Sequence, residues 1–239
     1  MQLQQLVAAS ATVAATRSRI RKVAVLSELI CAATGAERAF AVAYLTGSVP
    51  QGRIGIGYAA VGALDVAAAA EPTLELRDVD ACLATLARTT GAGSRQQRDA
   101  QLTGLYARAT GDEQRFLGRL LLGEMRHGAL DGVMIAAIAD AADIGPGAVR
   151  RAYMLSDDLA GVTEAALTGG EEALATFTLR VLHPVQPMLA SPATDVVDAI
   201  GDHEDGAVSD GRLIADAKES SRNNVPMAVG VVACSCGCG

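Results

Sequence analysis

Helical periodicity along most of the chain is the feature that most constrains its fold. Apolar residues recur three and four positions apart through residues 1–167, as in VAVLSELICAAT (23–34) and GVMIAAIADAAD (132–143). Turn-forming stretches such as GSVPQGRIGIG (47–57) and TTGAGSRQQ (89–97) separate these segments. No sustained strand alternation occurs before about residue 176. The pattern predicts an all-α bundle of many short helices.

The composition supports closely packed helices. Hydrophobic residues make up 50% of the chain, but aromatic residues only 3%, and there is no Trp. The core is therefore expected to be built from Ala, Leu and Val, and the thiols of Cys31 and Cys82 are expected to be buried in it. No run approaches the roughly 18 apolar residues that span a bilayer, and no signal-peptide pattern is present. We expect a cytoplasmic, monomeric protein that makes no membrane contact.

The charge distribution limits the partners that the chain can take. A net charge of −7 argues against general affinity for nucleic acid. It leaves room for a local basic face, because phosphate binding depends on where Lys and Arg lie. RSRIRK (17–22) carries four cations in six residues and is the strongest local positive charge. On sequence alone it fits a phosphate contact and a solvated helix start equally well.

Two segments echo each other. YLTGSVPQGRIGIGY (44–58) and RLLLGEMRHGALDGVM (119–134) share the frame Leu-x-Gly-x-x-x-x-Gly, and each lies between apolar helical segments. The echo predicts two pseudo-symmetric helical halves that present two similar glycine-lined turns. Two alternatives stay open, since a chain with 25 glycines can produce such pairs by chance, and glycines also allow close helix packing.

A longer motif carries a family resemblance. Beginning at Glu113, the chain reads E-x-x-F-L-x-R-L-L-x-G-E-x-R-x-G-A-x-D, followed about twenty residues later by V-R-R-A. Residues 105–167 closely resemble the N-terminal DNA-binding domain of ATP-dependent DNA ligases of the actinobacterial type. The resemblance continues upstream through both the first glycine turn and SRIRKVAVLSEL, and it covers about residues 1–190.

The resemblance implies how the glycines and cations are used. In the family this helical domain encircles nicked duplex DNA along its minor groove, with glycine turns that let the backbone approach the sugar-phosphate chain and arginines that contact phosphates. The residues that match are Arg19, Arg21, Lys22, Gly52, Arg53, Gly55, Gly57, Arg119, Gly123, Arg126 and Gly128. The alternative is a helical protein-interaction or scaffold module without DNA binding. In it the glycines pack helices, and Arg119 pairs with neighbouring carboxylates.

The catalytic machinery of the family is not recognisable in this sequence. Ligases use a lysine nucleophile in a Lys-x-Asp-Gly motif, whereas the corresponding region here reads HEDGAVSDGRLIADAK (203–218). Asp210 and Gly211 match the end of that motif, but no lysine precedes Asp210 at the distance that the motif requires. We therefore assign no catalytic residue, expect no cofactor for this chain, and predict that it cannot seal a nick. ATP and Mg²⁺ belong to the full-length family enzyme, which serves DNA repair, replication or recombination.

The family character fades along the chain and divides it into three regions. Residues 1–170 are predicted to form the helical DNA-binding domain, 171–190 a linker and the start of the adenylation domain, and 191–239 a truncated or aberrant tail. Residues 201–225 are polar and glycine-rich, so we expect much of this stretch to be poorly ordered. A shifted frame or truncated gene would explain the ending CSCGCG; the alternative is a small soft-metal site. We expect no metal site in the helical domain.

Overall fold

The computed structural model describes residues 1–52, 54–125 and 131–179. All of them belong to one compact unit, Met1–Gln186. A second unit, Pro187–Gly239, lies outside the described residues. The expectations for the tail and its cysteines therefore fall outside the structure described below.

The all-α prediction is confirmed. In the described ranges the chain forms ten helices: α1 (Leu3–Ala15), α2 (Arg19–Ala32), α3 (Ala36–Thr46), α4 (Tyr58–Gly62), α5 (Leu76–Arg88), α6 (Ser94–Ala107), α7 (Gly111–Leu121), α8 (Asp131–Ala142), α9 (Pro146–Ser156) and α10 (Leu159–Ala175). An isolated antiparallel bridge, Gln2 with Glu75, is the strand-like pairing found among these residues. It ties the first residues of the chain to the segment that leads into α5.

The centre of the bundle is the pairing of α2 with α8; α1 packs on α2, α9 and α10 pack on α8, and α3 contacts both. Leu26 and Ile30 of α2 and Ile138 of α8 have no exposed surface. Alanines such as Ala137 are also fully buried on α8. Because alanine has a minimal side chain, the two helices can approach closely without leaving voids, as the aromatic-poor composition requires.

Helix α7 shows why a glycine-rich segment still forms a defined helix. Thr110 caps its start: the Thr110 hydroxyl accepts from the Glu113 N–H at 3.4 Å, and the Glu113 carboxylate accepts from the Thr110 N–H at 2.8 Å. This reciprocal pair satisfies two donors that a helix start leaves free. Phe116, Leu117 and Leu120 then bury one face of the helix, which holds α7 against the core.

The structure divides one segment that the sequence pattern presents as continuous. Residues 148–167 keep helical periodicity throughout, but α9 ends and α10 begins within them. Asp157 adopts a left-handed conformation with φ of 51°, and the side chain of Asp158 accepts from the Gly161 N–H at 2.9 Å to cap α10. Short acidic side chains tolerate the left-handed region and cap helices well, so apolar spacing alone misses this break.

The expectation of buried thiols is wrong for one cysteine. Cys31 is exposed on α2, and Cys82 on α5 is half-buried. Burial raises the pKa of the Cys82 thiol above its usual value. Cys31 occupies a solvent-facing position of α2, which apolar neighbours in the sequence do not reveal. Among the described helices, none combines the length and apolarity needed to cross a membrane.

Replacing Leu26 with alanine tests the central packing. The side chain of Leu26, on α2, is completely buried. Leu26→Ala should therefore lower the free energy of unfolding by about 2–5 kcal/mol. Ile20→Ala on the same helix is the matched control, because Ile20 is 82% exposed and surface changes stay within about 0.5 kcal/mol. Urea unfolding followed by far-UV circular dichroism measures both. Equal effects would contradict the assignment of the core.

Candidate nucleic-acid interface

Helices α3 and α7 end in glycines that share one unusual conformation. Gly47 follows α3 with φ of 82°, and Gly123 follows the last turn of α7 with φ of 70°. Both angles lie in the left-handed region, where a residue with a Cβ is strained. Gly47 and Gly123 are the first glycines of the repeated Leu-x-Gly-x-x-x-x-Gly frame, so this glycine has the same structural role in both segments.

The backbone closes both helix ends with the same type of hydrogen bond. The Ser48 N–H donates to the Ala43 carbonyl at 2.9 Å, and the Glu124 N–H donates to the Arg119 carbonyl at 2.7 Å. In both cases donor and acceptor are five residues apart, the six-to-one bond of a Schellman closure. Each closure turns the chain sharply away from its helix, and the two turns therefore leave α3 and α7 in the same manner.

The first turn and the end of α7 with Gly123 meet at one concave surface, which we call the glycine cavity. It has a volume of about 660 Å³. Its lining comes from the first turn and from the end of α7: Gly47, Ser48, Val49, Gly52, Ile54, Gly55, Ile56, Gly57, Leu120, Leu121, Leu122 and Gly123. Segments separated by some seventy residues in sequence thus contribute to a single surface, and five of the lining side chains are Leu or Ile.

Direct contacts hold the turns together. A Cβ built on Gly47 would lie 3.0 Å from the Met125 Cβ, which is closer than ordinary contact between such atoms. In a second contact, the Tyr58 hydroxyl donates to Glu124 Oε1 at 2.6 Å. Tyr58 directly follows the first turn, and Glu124 directly follows Gly123. The first contact requires glycine at position 47 for packing, and the second links the two turns through side chains.

The other glycines of the cavity are exposed and face open space. Counting the described residues, a Cβ would meet no atom within 4 Å at Gly52, Gly57 or Gly123, and at Gly55 it would meet only the Arg98 guanidinium, at 3.8 Å. Gly52, Gly55 and Gly123 have positive φ, which accounts for glycine there. Gly57 does not, because its φ of −114° and ψ of 176° suit any residue. Gly57 is the N-cap of α4, where Ser, Asp and Asn are preferred and glycine ranks with Thr. Neither conformation nor internal packing explains glycine at position 57.

The structure gives the predicted cations different settings. Arg19 begins α2, is exposed, and donates from Nη2 to the Gly132 carbonyl at 2.8 Å. It therefore lies beside the start of α8, just beyond the second turn in sequence. Arg21 is exposed and Lys22 half-buried on the same helix. Arg119 is exposed near the end of α7.

The carboxylates proposed as partners for Arg119 are engaged elsewhere. Asp112 forms an ion pair with Arg115. Glu113 closes the cap of α7, and Glu124 accepts from Tyr58. Within the described ranges Arg119 makes no ion pair, so its guanidinium is available to an outside anion.

The predicted residues fall into three groups. Those that line the cavity are Gly52, Gly55, Gly57 and Gly123. Those placed elsewhere on the described surface are Arg19, Arg21, Lys22 and Arg119. Arg53, Arg126 and Gly128 lie outside the described residues. The structure thus brings together the glycines of both turns, whereas the described cations are not part of the cavity lining.

Two residues that anchor the first turn were missed from the sequence. Gln51 donates from Nε2 to Asp80 Oδ1 of α5 at 2.6 Å. Arg98 of α6 donates to the Ile54 carbonyl within the turn. In the sequence, Arg98 lies in the polar run SRQQRDAQ, which is typical of a solvated helix face. No local signal distinguishes it, because its partner is 44 positions away.

Shifted pKa values in the described part of the chain are all raised, and burial is the largest cause of each. Burial raises the pKa of Tyr106 to about 12 and lifts that of Tyr44 far above its usual value, with the charges of Asp80 and Cys82 adding to the Tyr44 shift. The pKa of Tyr153 rises to about 12 through burial and the neighbouring Asp131. Tyr44 and Tyr106 are core side chains, and both phenols are neutral near pH 7.

Among the described residues, no cluster of His, Cys, Asp or Glu could hold a metal ion.

Comparison with known proteins decides the family. Residues 59–139, from α4 to α8, match the family described as DNA ligase N terminus. A probable DNA ligase of Saccharopolyspora erythraea is 51% identical over 198 residues, which cover 83% of this chain. The chain carries a DNA ligase N-terminal region. Probable DNA ligases of Anaeromyxobacter sp. (strain Fw109-5) and Nocardia farcinica are each 48% identical over 84% of the chain.

The match to these ligases is partial in length. The aligned segments cover 39% of the Saccharopolyspora and Anaeromyxobacter proteins and 38% of the Nocardia protein. The chain therefore spans about two fifths of the relatives that it matches. The resemblance to a ligase N-terminal region that the Glu113 motif predicted is confirmed, and the matched residues include the end of α7 and the start of α8.

Substitutions at the two closing glycines test the turn geometry. Gly123→Ala should lower the free energy of unfolding by about 1–2 kcal/mol, because alanine is strained at positive φ. Gly47→Ala should cost more, since its Cβ would also press against Met125. Gly123→Asn is the control, because asparagine tolerates this conformation. Urea unfolding followed by circular dichroism measures the order. An alanine at position 47 that is no worse than one at position 123 would contradict the Met125 contact.

Proposed function

We propose that residues 1–170 bind nicked duplex DNA through the glycine cavity and the neighbouring cations. In this proposal the exposed backbone of both turns lies against the sugar-phosphate chain along the minor groove. Such contacts fix position and orientation and carry no sequence preference. The relatives are named as probable DNA ligases, and a ligase must hold nicks in any sequence.

The observation that carries the proposal is Gly57. It is exposed, its backbone conformation accepts any residue, and a Cβ would meet no atom of the described residues within 4 Å. A residue without a side chain at such a position is explained by close approach of something outside the chain. A DNA backbone lying in the cavity supplies that partner, because phosphate and sugar atoms would occupy the space of the side chain.

The free cation near the cavity supports the same partner. Arg119 is exposed and unpaired within the described ranges, and it lies next to Leu120 of the cavity lining. Arg19 is fixed beside α8, and Arg21 and Lys22 follow it on α2. These cations give local positive charge to a chain whose net charge is −7, and phosphate binding depends on such local charge. Arg53, Arg126 and Gly128 are proposed to join the same contact.

The wider activity is proposed for the full-length relative of this chain. There, ATP and Mg²⁺ would serve adenylylation of a lysine, transfer of AMP to the 5′-phosphate and sealing by the 3′-hydroxyl, in repair, replication or recombination. This chain would hold the DNA without sealing it, because no Lys-x-Asp-Gly motif is recognisable in its sequence. We propose that it acts in the cytoplasm as a monomer.

The alternative without DNA binding, a helical scaffold, has support at one position. Gly47 packs against Met125 and so serves the protein interior. The same explanation fails for Gly52, Gly57 and Gly123, where a Cβ would meet no atom of the described residues within 4 Å. Packing therefore accounts for Gly47 and does not account for Gly57.

Gly57→Thr separates DNA contact from protein stability. Threonine caps a helix about as well as glycine, and the extended conformation of Gly57 suits a β-branched side chain. Stability should therefore change by less than about 0.5 kcal/mol. Affinity for a fluorescently labelled nicked duplex, measured by anisotropy, should fall roughly tenfold or more, a loss of at least about 1.4 kcal/mol.

The control for this substitution is Gly104→Thr on α6. Gly104 is also exposed and surrounded by open space, but it does not line the cavity. Threonine there should leave affinity for the nicked duplex unchanged. If Gly57→Thr binds DNA as tightly as the unaltered chain, the cavity does not receive the DNA backbone.

Arg119→Ala tests the phosphate contact through its salt dependence. Each phosphate neutralised by the protein contributes about 0.9 to the slope of log K against log of salt concentration. Loss of Arg119 should flatten that slope by about this amount, measured by anisotropy between about 50 and 200 mM salt. Arg115→Ala removes an equal charge from α7, but Arg115 is paired with Asp112, so its slope should stay near that of the unaltered chain. A slope unaffected by Arg119→Ala excludes a direct phosphate contact.

A further inference from the structure

The first turn, residues 47–57, is held in place mainly by side chains of the helices beneath it. Its described backbone bonds include Ser48 N–H to Ala43 and Gly52 N–H to Val49, which shape its first half. The second half carries Gly55 and Gly57, whose exposed backbone faces outward. A segment with this much glycine samples many conformations unless other groups restrain it.

Arg98 supplies that restraint at the centre of the turn. From α6 it donates through Nη2 to the Ile54 carbonyl and through Nη1 to the Leu86 carbonyl at 3.1 Å. Leu86 lies in the last turn of α5, where its carbonyl also accepts from the Thr89 N–H at 3.3 Å and a nearby cation is favourable. One planar guanidinium thus joins α5, α6 and the turn, and Arg98 is half-buried as a result.

The neighbouring contacts fit a fixed position for this guanidinium. A Cβ on Gly55 would lie 3.8 Å from Arg98 Nη2, so the guanidinium lies against the backbone of the turn at two consecutive residues. Ile54 is 8% exposed, which places its side chain in the core beside the anchored carbonyl. Gln51 fastens the preceding part of the turn to Asp80.

We propose that Arg98 is a positioning residue for DNA binding: it holds the first glycine turn in its binding conformation and makes no phosphate contact itself. This inference rests on the proposed function of the cavity. Both of its terminal nitrogens already donate to backbone carbonyls, whereas Arg119 at the other turn has no such partner among the described residues. A chain whose turn is competent for only a fraction of the time binds with an affinity reduced by that fraction.

Arg98→Ala in the full chain separates a positioning role from a phosphate contact. If the turn is competent about a tenth of the time without Arg98, the Kd for a labelled nicked duplex should rise about tenfold. The slope of log K against log of salt concentration should stay unchanged, since a lost phosphate contact would reduce it by about 0.9. A slope reduced by that amount overturns the positioning role.

Hydrogen exchange of the free chain tests the restraint independently of DNA. Mass spectrometry of a peptide covering residues 45–57 should show faster exchange in Arg98→Ala, because the amides of Ser48 and Gly52 lose protection when the turn opens. A peptide from α8 should be unchanged. Exchange of the turn that equals that of the unaltered chain overturns the proposal. If the unaltered chain binds no DNA at about 50 mM salt while exchange responds as expected, the proposed function fails and the restraint alone survives.

Two further variants distinguish loss of the Arg98 restraint from general unfolding of the chain. Arg95→Ala removes an equal charge from the same helix at a residue that is 96% exposed, and it should leave both turn exchange and Kd unchanged. Arg98→Lys keeps the charge but cannot donate to both carbonyls from a planar fork. It should give an intermediate Kd and intermediate exchange, and it decides the question if Arg98→Ala unfolds the helices. Full retention of affinity and protection in Arg98→Lys would show that charge alone suffices and would overturn the proposed bridging role.

Discussion

The left-handed closures at Gly47 and Gly123 are the constraint on which the candidate interface depends. Each ends a helix, and both glycines line the same concave surface. Replacing the conformation at either point would redirect a whole turn, because the helix before it is fixed by core packing. The contact between Gly47 and Met125 then sets how closely the turns approach. Helices α3 and α7 thus hold the starts of the two turns in place, and Gly47 and Gly123 set the direction in which the chain leaves each helix.

The glycine cavity and the predicted DNA-binding cations occupy different parts of the surface. The cavity is lined by glycines and apolar side chains, whereas the described cations lie at the start of α2 and near the end of α7. A surface of this kind can admit a polyanion closely at its centre while cations bind at its margin. The net charge of −7 is compatible with it, because the range of unscreened charge interactions is only about 8–10 Å at physiological salt. Distant carboxylates therefore affect a phosphate at the cavity much less than Arg119 does.

Local sequence signals predicted the fold class and the paired turns, and the long-range contacts escaped them. Apolar spacing revealed helices because burial imposes a period near 3.6 residues, and the repeated Leu-x-Gly frame pointed to equivalent turns. The break at Asp157 was missed because a capping side chain interrupted an otherwise continuous apolar pattern. Arg98 and Gln51 were missed because their partners lie 44 and 29 positions away. Convergence of both turns on one cavity likewise depends on tertiary packing that no local pattern contains.

Hydroxyl-radical footprinting of the full chain on a nicked duplex tests the central claim most directly. The radical attacks deoxyribose, so it reports where protein backbone covers the sugars. If the glycine cavity receives the DNA backbone, sugars in one continuous stretch around the nick should be protected, at chain concentrations up to about 100 μM in low salt. Uniform cleavage along the duplex at those concentrations would contradict the account, and the glycines of the first turn would then need another explanation.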